Sequence, residues 1–417
     1  MPLEPTHETR DGVAMRTVVI QEEQQLPRVL RPILALDDFE AAARSHLPRP
    51  IFGYIAGYCE TGASFQDNRR AFDELFFVPK CLCNVGQRSQ SVRLFGKDYD
   101  HPFGIAPMGL SALAAFDGDV VLAQAARNHG SLAILSATSL TPLERVAAEA
   151  GSDWFQAYLP GEADRIDNMI DRVAAAGFKT FVLTVDVPVP ANRENNVRNG
   201  FFTPMRPSAR LAWQGLIHPR WLVGTAMRTL RERGMPHFEN MDAFRGPPIL
   251  SRNLTRAIGK RDQLSWDHIA RMRDRWKGNL VLKGILSAQD AITAREHGVD
   301  GVIVSNHGGR QLDGAIAPIR ILPEIADAVG NDLTVMLDSG IRRGTDVLKA
   351  LALGAHFVFV GRPMLFAAAV QGTAGVLHAM DKLSDEIDRD MAMLGVDNCR
   401  KIGPEFLRVP GNFTLQR

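Results

Sequence analysis

The sequence predicts a closed (βα)8 barrel of the TIM type, with an N-terminal helical extension and a long fourth βα loop. Three observations lead there. Eight short apolar runs of β type recur beyond residue 100, alanine-rich helical segments separate them, and eight such units over about 270 residues is the usual size of a barrel. An open doubly wound sheet is the competing arrangement, but no G-x-G-x-x-G follows a strand at the head of a βα unit.

In chain order, residues 1–34 show no periodicity and read as a flexible arm, leaving 35–417 as the barrel domain. LDDFEAAARSHLP places aspartate just before a helical pattern, as an N-cap would stand. The strand candidates are FGIAP (103–107), LAILS (132–136), WFQAY (154–158), TFVLTVD (180–186), NLVLKG (279–284), GVIVS (301–305), LTVMLDSG (333–340) and HFVFVG (356–361). Between them DVVLAQAARNHG, DNMIDRVAAAGF, AQDAITAREHG and TDVLKALALG have helical spacing and mostly end in glycine, the common C-cap. One gap is too long. Residues 188–275 leave the barrel at its fourth βα loop, and within them 206–234 holds six arginines and one glutamate among Trp213, Trp221 and several aliphatics. Basic and aromatic residues interleaved in this way suit either an anionic membrane surface or a lid or subunit contact.

Composition narrows the class. At 417 residues, 45% hydrophobic and 23% charged, the chain can bury a large core. Its 48 basic and 47 acidic side chains nearly cancel, so no global field favours nucleic acid. No apolar run approaches the ~20 residues of a spanning helix, and MPLEPTHETRDG is too polar for a signal peptide, so a cytoplasmic protein is expected. Cys59, Cys81, Cys83 and Cys399 are too few for a disulfide framework and lack the pairing of a zinc site, which leaves reduced thiols and no metal.

In such a barrel the site lies where the strands end, so the polar residues closing each run become candidates. They include Met108 and Gly109, Ser136, Gln156 with Tyr158, Thr184 with Asp186, Lys283, Ser305, His307 with Arg310, Asp338 with Arg342, and Gly361 with Arg362. The glycines of DSGIRRG and GRP expose backbone N–H groups beside Arg342, Arg343 and Arg362, a phosphate cradle after strands seven and eight. The alternative is arginines bonding helix carbonyls. Lys283 should enter the barrel mouth, as an electrostatic group or as a Schiff-base lysine. His307 suits a general base at neutral pH, Asp186 would orient it, and Arg193 with Arg310 would grip a small carboxylate. Together these groups fit a phosphate-bearing cofactor across the barrel mouth with a carboxylate substrate above it.

The stretches SNHGGRQLDG, LPRPIFGYIAG, WFQAY, LTVDVP, LVLKGI, LDSGIRRGTDVLKALALGA and FVGRP closely resemble the FMN-dependent 2-hydroxy acid dehydrogenases and oxidases, from about residue 35 to beyond 400. This family includes glycolate oxidase, flavin-type lactate dehydrogenase and mandelate dehydrogenase. The resemblance implies His307 as the active-site base with Asp186 as its partner, Arg193 and Arg310 on the substrate carboxylate, and Tyr54 and Tyr158 on its carboxylate and hydroxyl groups. It places Lys283 by the flavin N(1)–C(2) side, and Pro107, Met108, Gly109, Ser136, Gln156, Tyr158, Thr184 and Ser305 along the ring and ribityl chain. Asp338, Ser339, Gly340, Ile341 and Arg342, with Gly361 and Arg362, would hold the ribityl tail and phosphate.

The reaction so implied oxidises an L-2-hydroxy acid of lactate or mandelate type to the 2-keto acid. Thr138 stands where glycolate oxidase has tryptophan, and Gly109 where many relatives have alanine, which leaves more room above the flavin. Gly109 and HPRW in the fourth loop resemble mandelate dehydrogenase and the membrane-bound lactate dehydrogenases. They favour transfer of electrons to a quinone or other carrier, at the inner face of a membrane, over a hydrogen-peroxide-producing oxidase. Family members commonly form tetramers, so a homo-oligomer is expected. A phosphate-binding lyase or isomerase using Lys283, with no flavin, is the rival from another class.

Overall fold

Apolar runs rich in β-branched and aromatic residues, buried at nearly every position, form the strands of the central sheet, as a parallel sheet covered on both faces demands. In the computed structural model, which describes residues 26–202, 208–251 and 260–409, these strands are β1 (Phe103–Ile105), β2 (Ile134–Ser136), β3 (Trp154–Ala157), β4 (Thr180–Thr184), β5 (Asn279–Ile285), β6 (Gly301–Val304), β7 (Thr334–Asp338) and β8 (Phe357–Val360). Each pairs in parallel with its neighbour, β8 pairs with β1, and a bridge between Ile105 and Ala133 brings β1 to β2. The ring is closed, as expected.

The N-terminal end of the barrel is plugged by the hairpin Val92–Leu94/Lys97–Tyr99. The Phe95 ring lies 5.6 Å from Trp154, and Tyr99 lies 5.9 Å from Phe357, which continues to Phe359 at 5.2 Å. Chemistry is thereby confined to the other end. Helices Gly118–Asn128, Ala163–Ala175, Ala288–Glu296 and Gly344–Ala352 cover the outside, matching the four segments with helical spacing. Helix Arg362–Leu394 has the length and mean hydropathy, 1.2, of a membrane span, but 67% of its apolar window is buried and its backbone breaks at Gln371 and Gly372. It is a core helix.

Two expectations at the N-terminus need correction. The arm read over 1–34 is packed over its described part, because Leu30 and Ile33 are fully or nearly buried and the Ile33 carbonyl sits 2.9 Å from His378 Nε2. Residues 1–25 lie outside the described residues. Asp37 makes no side-chain cap on helix Asp38–His46; the Asp38 carboxylate instead accepts from the N–H groups of Leu34 and Ala35 at 2.8 and 3.0 Å. Next in the chain, helix Arg49–Ala56 carries Tyr54 to the barrel mouth, and helix Ala63–Asp73 braces the turn after β6.

The long excursion is partly helical. It contains Glu194–Asn199, Ala209–Leu216, Pro219–Trp221, a π-type turn at Leu222–Met227 and Arg228–Glu232, while Trp266–Arg275 at its end is the crossover helix before β5. Trp221 anchors it by burial and a 2.8 Å bond from its indole N–H to the Leu113 carbonyl. Arg233 and Arg145 both clamp Asp117, at 2.8 and 2.7 Å. Residues 206 and 207 of the basic stretch lie outside the described residues.

Candidate active site

A cavity of about 660 Å³ opens at the C-terminal mouth, walled by the ends of β1, β5, β7 and β8, the turn after β6, and the excursion. The turn SNHGGR explains the paired glycines. His307, Gly308 and Gly309 all have positive φ, of 58°, 66° and 71°, a left-handed path that glycine follows without penalty and histidine does not. A Cβ on Gly309 would also lie 2.6 Å from the Phe65 backbone. The strained histidine is held by surrounding bonds: its N–H donates to Ser305 Oγ at 3.0 Å, and the Gly308 N–H donates to Ser339 Oγ at 2.9 Å.

His307 Nδ1 lies 3.0 and 3.2 Å from the two Asp186 carboxylate oxygens, and Nε2 turns toward the cavity, 3.4 Å from the Tyr158 hydroxyl. This fixes the tautomer. The proton sits on Nδ1 against the carboxylate, leaving the Nε2 lone pair to accept another. Burial holds the ring below the ordinary histidine value despite the opposing pull of Asp186. Burial alone would raise the Asp186 carboxyl, but His307 and Lys283 bring it below the usual carboxylate range. The pair is therefore a neutral imidazole beside a carboxylate at neutral pH. Burial pushes the Tyr158 phenol up, so it remains a hydroxyl. Gly284, with φ of 106° in a bulge of β5, is needed here because a Cβ would come within 2.7 Å of Asp186.

Five cations form the rest of the expected set. Lys283 Nζ meets Asp338 at 2.8 Å and Ser305 Oγ at 2.7 Å, the anionic partner a buried ammonium requires. Arg193 donates to the Arg310 carbonyl at 3.1 Å and to Gln311 Oε1 at 2.5 Å. Arg310 Nη1 donates to the carbonyls of Tyr54, Ile55 and Gly57, while its burial and the nearby Arg193 bring its pKa down to about 10. It stays charged at neutral pH. Arg362 gives Nε and Nη2 to the carbonyls of Ile55, Gly57 and Gly308, so the bonding of helix carbonyls weighed against a phosphate role is observed for these atoms. Arg342 lines the cavity and bonds Asp37 at 3.2 Å.

The structure brings Tyr54, Pro107, Met108, Gly109, Tyr158, Arg193, Lys283, His307, Arg310, Asp338, Ser339, Gly340, Ile341, Arg342, Gly361 and Arg362 to the cavity wall. Ser136, Gln156, Thr184 and Ser305 lie buried at the strand ends outside the lining, with Ser136 Oγ bonded to Gln156 Oε1 at 3.0 Å. Arg343 is a correction: it turns outward to Glu386 at 2.8 Å and leaves the phosphate cradle to others. Residue-type reasoning missed Phe201, Phe238, Met241 and Arg261, which the excursion folds back over the mouth. No local motif marks them, because their contact depends on the loop's return path.

This fold and site define a (βα)8 barrel whose C-terminal mouth gathers buried cationic side chains around a histidine paired with a carboxylate. Residues 43–409 match the family described as FMN-dependent dehydrogenase, and the chain belongs to that family. It is 38% identical over 373 residues to an L-lactate dehydrogenase of Azorhizobium caulinodans, covering 88% of this chain and 96% of the relative. A crystal structure of a monotopic membrane protein, (S)-mandelate dehydrogenase, superposes with a TM-score of 0.81 at 34% identity, covering 90% of this chain and 99% of the other. A mandelate oxidase superposes with a TM-score of 0.75 at 32% identity, covering 90% and 98%.

The residues present fit FMN. Ser339 and Gly340, with φ of 80° and 92°, turn the backbone after β7 beside Arg342, and helix Arg362–Leu394 directs its N-terminus at the same wall. Thr184 Oγ1 at the end of β4, behind the cavity lining, is buried with no hydrogen-bond partner among the described residues. The family is FMN-dependent, and this enzyme is an oxidoreductase that acts on CH–OH groups.

Proposed function

We propose that the protein oxidises L-2-hydroxy acids of the lactate or mandelate type to 2-keto acids and passes the electrons to a membrane quinone. The observation that carries this reading is the Asp186–His307 pair with Nε2 turned to the Tyr158 hydroxyl in a cavity that also presents Arg193 and Arg310. FMN, when bound, supplies a two-electron acceptor for the alcohol. Arg193 and Arg310 bind the substrate carboxylate, which sets the Cα end of the molecule beside His307. Nε2 takes the proton released on oxidation, and Asp186 stabilises the resulting imidazolium. Tyr158 positions the hydroxyl. Lys283, which lines the cavity, would hold positive charge beside a cofactor bound there and so favour its acceptance of electrons.

The excursion supports the membrane part of this reading. Trp213, Leu216, Ile217, Val223, Met227 and Leu230 are large, apolar and exposed, and Arg210, Arg220 and Arg231 are exposed among them. Such a surface seats at the boundary of an anionic bilayer, in keeping with the monotopic relative. We place the protein peripherally on the cytoplasmic face, as a homo-oligomer. Anaerobic addition of L-lactate or L-mandelate to the yellow holoenzyme should bleach the flavin. Reoxidation should then be faster with a quinone than with air; the reverse order would make the protein an oxidase, and no bleaching with any 2-hydroxy acid would remove the proposal.

A further inference from the structure

Among the described residues, six cationic side chains line the cavity, Arg193, Arg261, Lys283, Arg310, Arg342 and Arg362, against one acidic side chain, Asp338. Five have been accounted for. Arg261 differs, because its Nε is buried without a hydrogen-bond partner among the described residues and its guanidinium rests over the Tyr158 ring, 4.7 Å from the centroid. Among the described residues, the groups acting on its charge are Tyr158 and Arg165, with no carboxylate among them. Arg261 is half-buried, and with its Nε withdrawn from water and facing no anion, the stacked phenol compensates its charge only in part.

Its position is fixed. The neighbouring Lys260 Nζ meets Glu162 at 2.5 Å, the Gly161 N–H donates to the Lys260 carbonyl at 2.9 Å, and a Cβ on Gly161 would strike the Gln263 carbonyl at 2.7 Å. The segment is pressed against the loop after β3. Arg193 donates to the Arg310 carbonyl, so those two lie together, and Arg193 and Arg261 both act on the Tyr158 phenol. Tyr158 stands between, with its hydroxyl at the His307 end and its ring face under Arg261.

Resting on the function proposed above, we infer that Arg261 receives a second carboxylate at the far end of the substrate, so that L-2-hydroxy dicarboxylates are preferred substrates. The α-carboxylate occupies Arg193 and Arg310, the hydroxyl carbon lies by His307, and the side chain runs across Tyr158 to Arg261. The mechanism of oxidation is unchanged; only the recognised side chain is new.

The test compares L-2-hydroxyglutarate with L-2-hydroxybutanoate by anaerobic flavin bleaching in the holoenzyme and in Arg261→Met and Arg261→Lys. The ratio of kcat/KM for the diacid to that for the monoacid should fall at least tenfold in Arg261→Met, chiefly through KM, and recover in Arg261→Lys. A ratio unchanged within twofold overturns the inference, as does bleaching of the wild type by the monoacid and not by the diacid. Bleaching by neither acid, with L-lactate or L-mandelate still bleaching the flavin, also overturns the inference and leaves the proposed function standing; bleaching by no 2-hydroxy acid at all defeats that function. Should Arg261→Met fail to retain flavin, competitive inhibition of the wild type by glutarate and butyrate decides. At least tenfold tighter inhibition by the diacid supports the inference, and equal inhibition refutes it.

Discussion

His307 accepts a proton only while its ring is neutral, and its burial holds the ring's pKa below the ordinary ~6.5. The sign follows directly. kcat/KM should be level through neutral pH and fall as the medium is acidified, with a midpoint under ~6.5. A midpoint above that value would contradict the account. Asp186→Asn keeps the shape but removes the charge facing Nδ1, so kcat should drop by roughly 10²–10⁴ while flavin absorbance is retained. Beside them, a Cβ on Gly109 would lie 2.0 Å from Thr138 Oγ1 and 2.9 Å from its Cβ. Gly109→Ala should therefore impair turnover of a bulky acid such as mandelate more than of lactate, and adding Thr138→Ala should restore much of the difference, a coupling that a double-mutant cycle measures. The residues of this pair were quoted from the sequence as a departure from relatives, but their direct contact needed coordinates, because the turn after β1 and the turn after β2 meet only in three dimensions.

At the scale of elements, the excursion and the N-terminal segment behave differently from ordinary loops. Leu30 is fully buried, so Leu30→Ala should cost about 2–5 kcal/mol and lower the melting temperature, although the site is remote in sequence. No change in melting temperature would mean that the segment is not docked in solution. Replacing Trp213, Leu216 and Leu230 by glutamine should move the protein from the membrane pellet to the supernatant in a sedimentation assay. An unchanged distribution would leave the face for a subunit or lid contact. The eight strands were legible because burial on both faces writes continuous apolar runs, and each crossover helix carries its own spacing. Packing of the segment before residue 35 was not, since a turn with two or three anchoring side chains has no period to detect.

For the whole molecule, the plugged N-terminal end and the open C-terminal end divide stability from chemistry. That division is why a column of strand-ending residues, scattered over some 250 positions, could be read as one site: a parallel barrel forces every run to finish on the same rim. What the rule cannot supply is the roof. Phe201, Phe238, Met241 and Arg261 arrive from a loop whose return depends on Trp221, Asp117 and Glu162 as docking points. Nor does the rule say which atoms of an arginine are free, and Arg362 shows the point by donating two nitrogens to carbonyls.

The base assignment is tested most directly by stopped-flow bleaching of the flavin with L-lactate or L-mandelate, without oxygen, in the wild type and in His307→Ala. Rapid bleaching of the first and a persistently yellow second, with equal flavin content, is the predicted result. Bleaching of His307→Ala at the wild-type rate would contradict it.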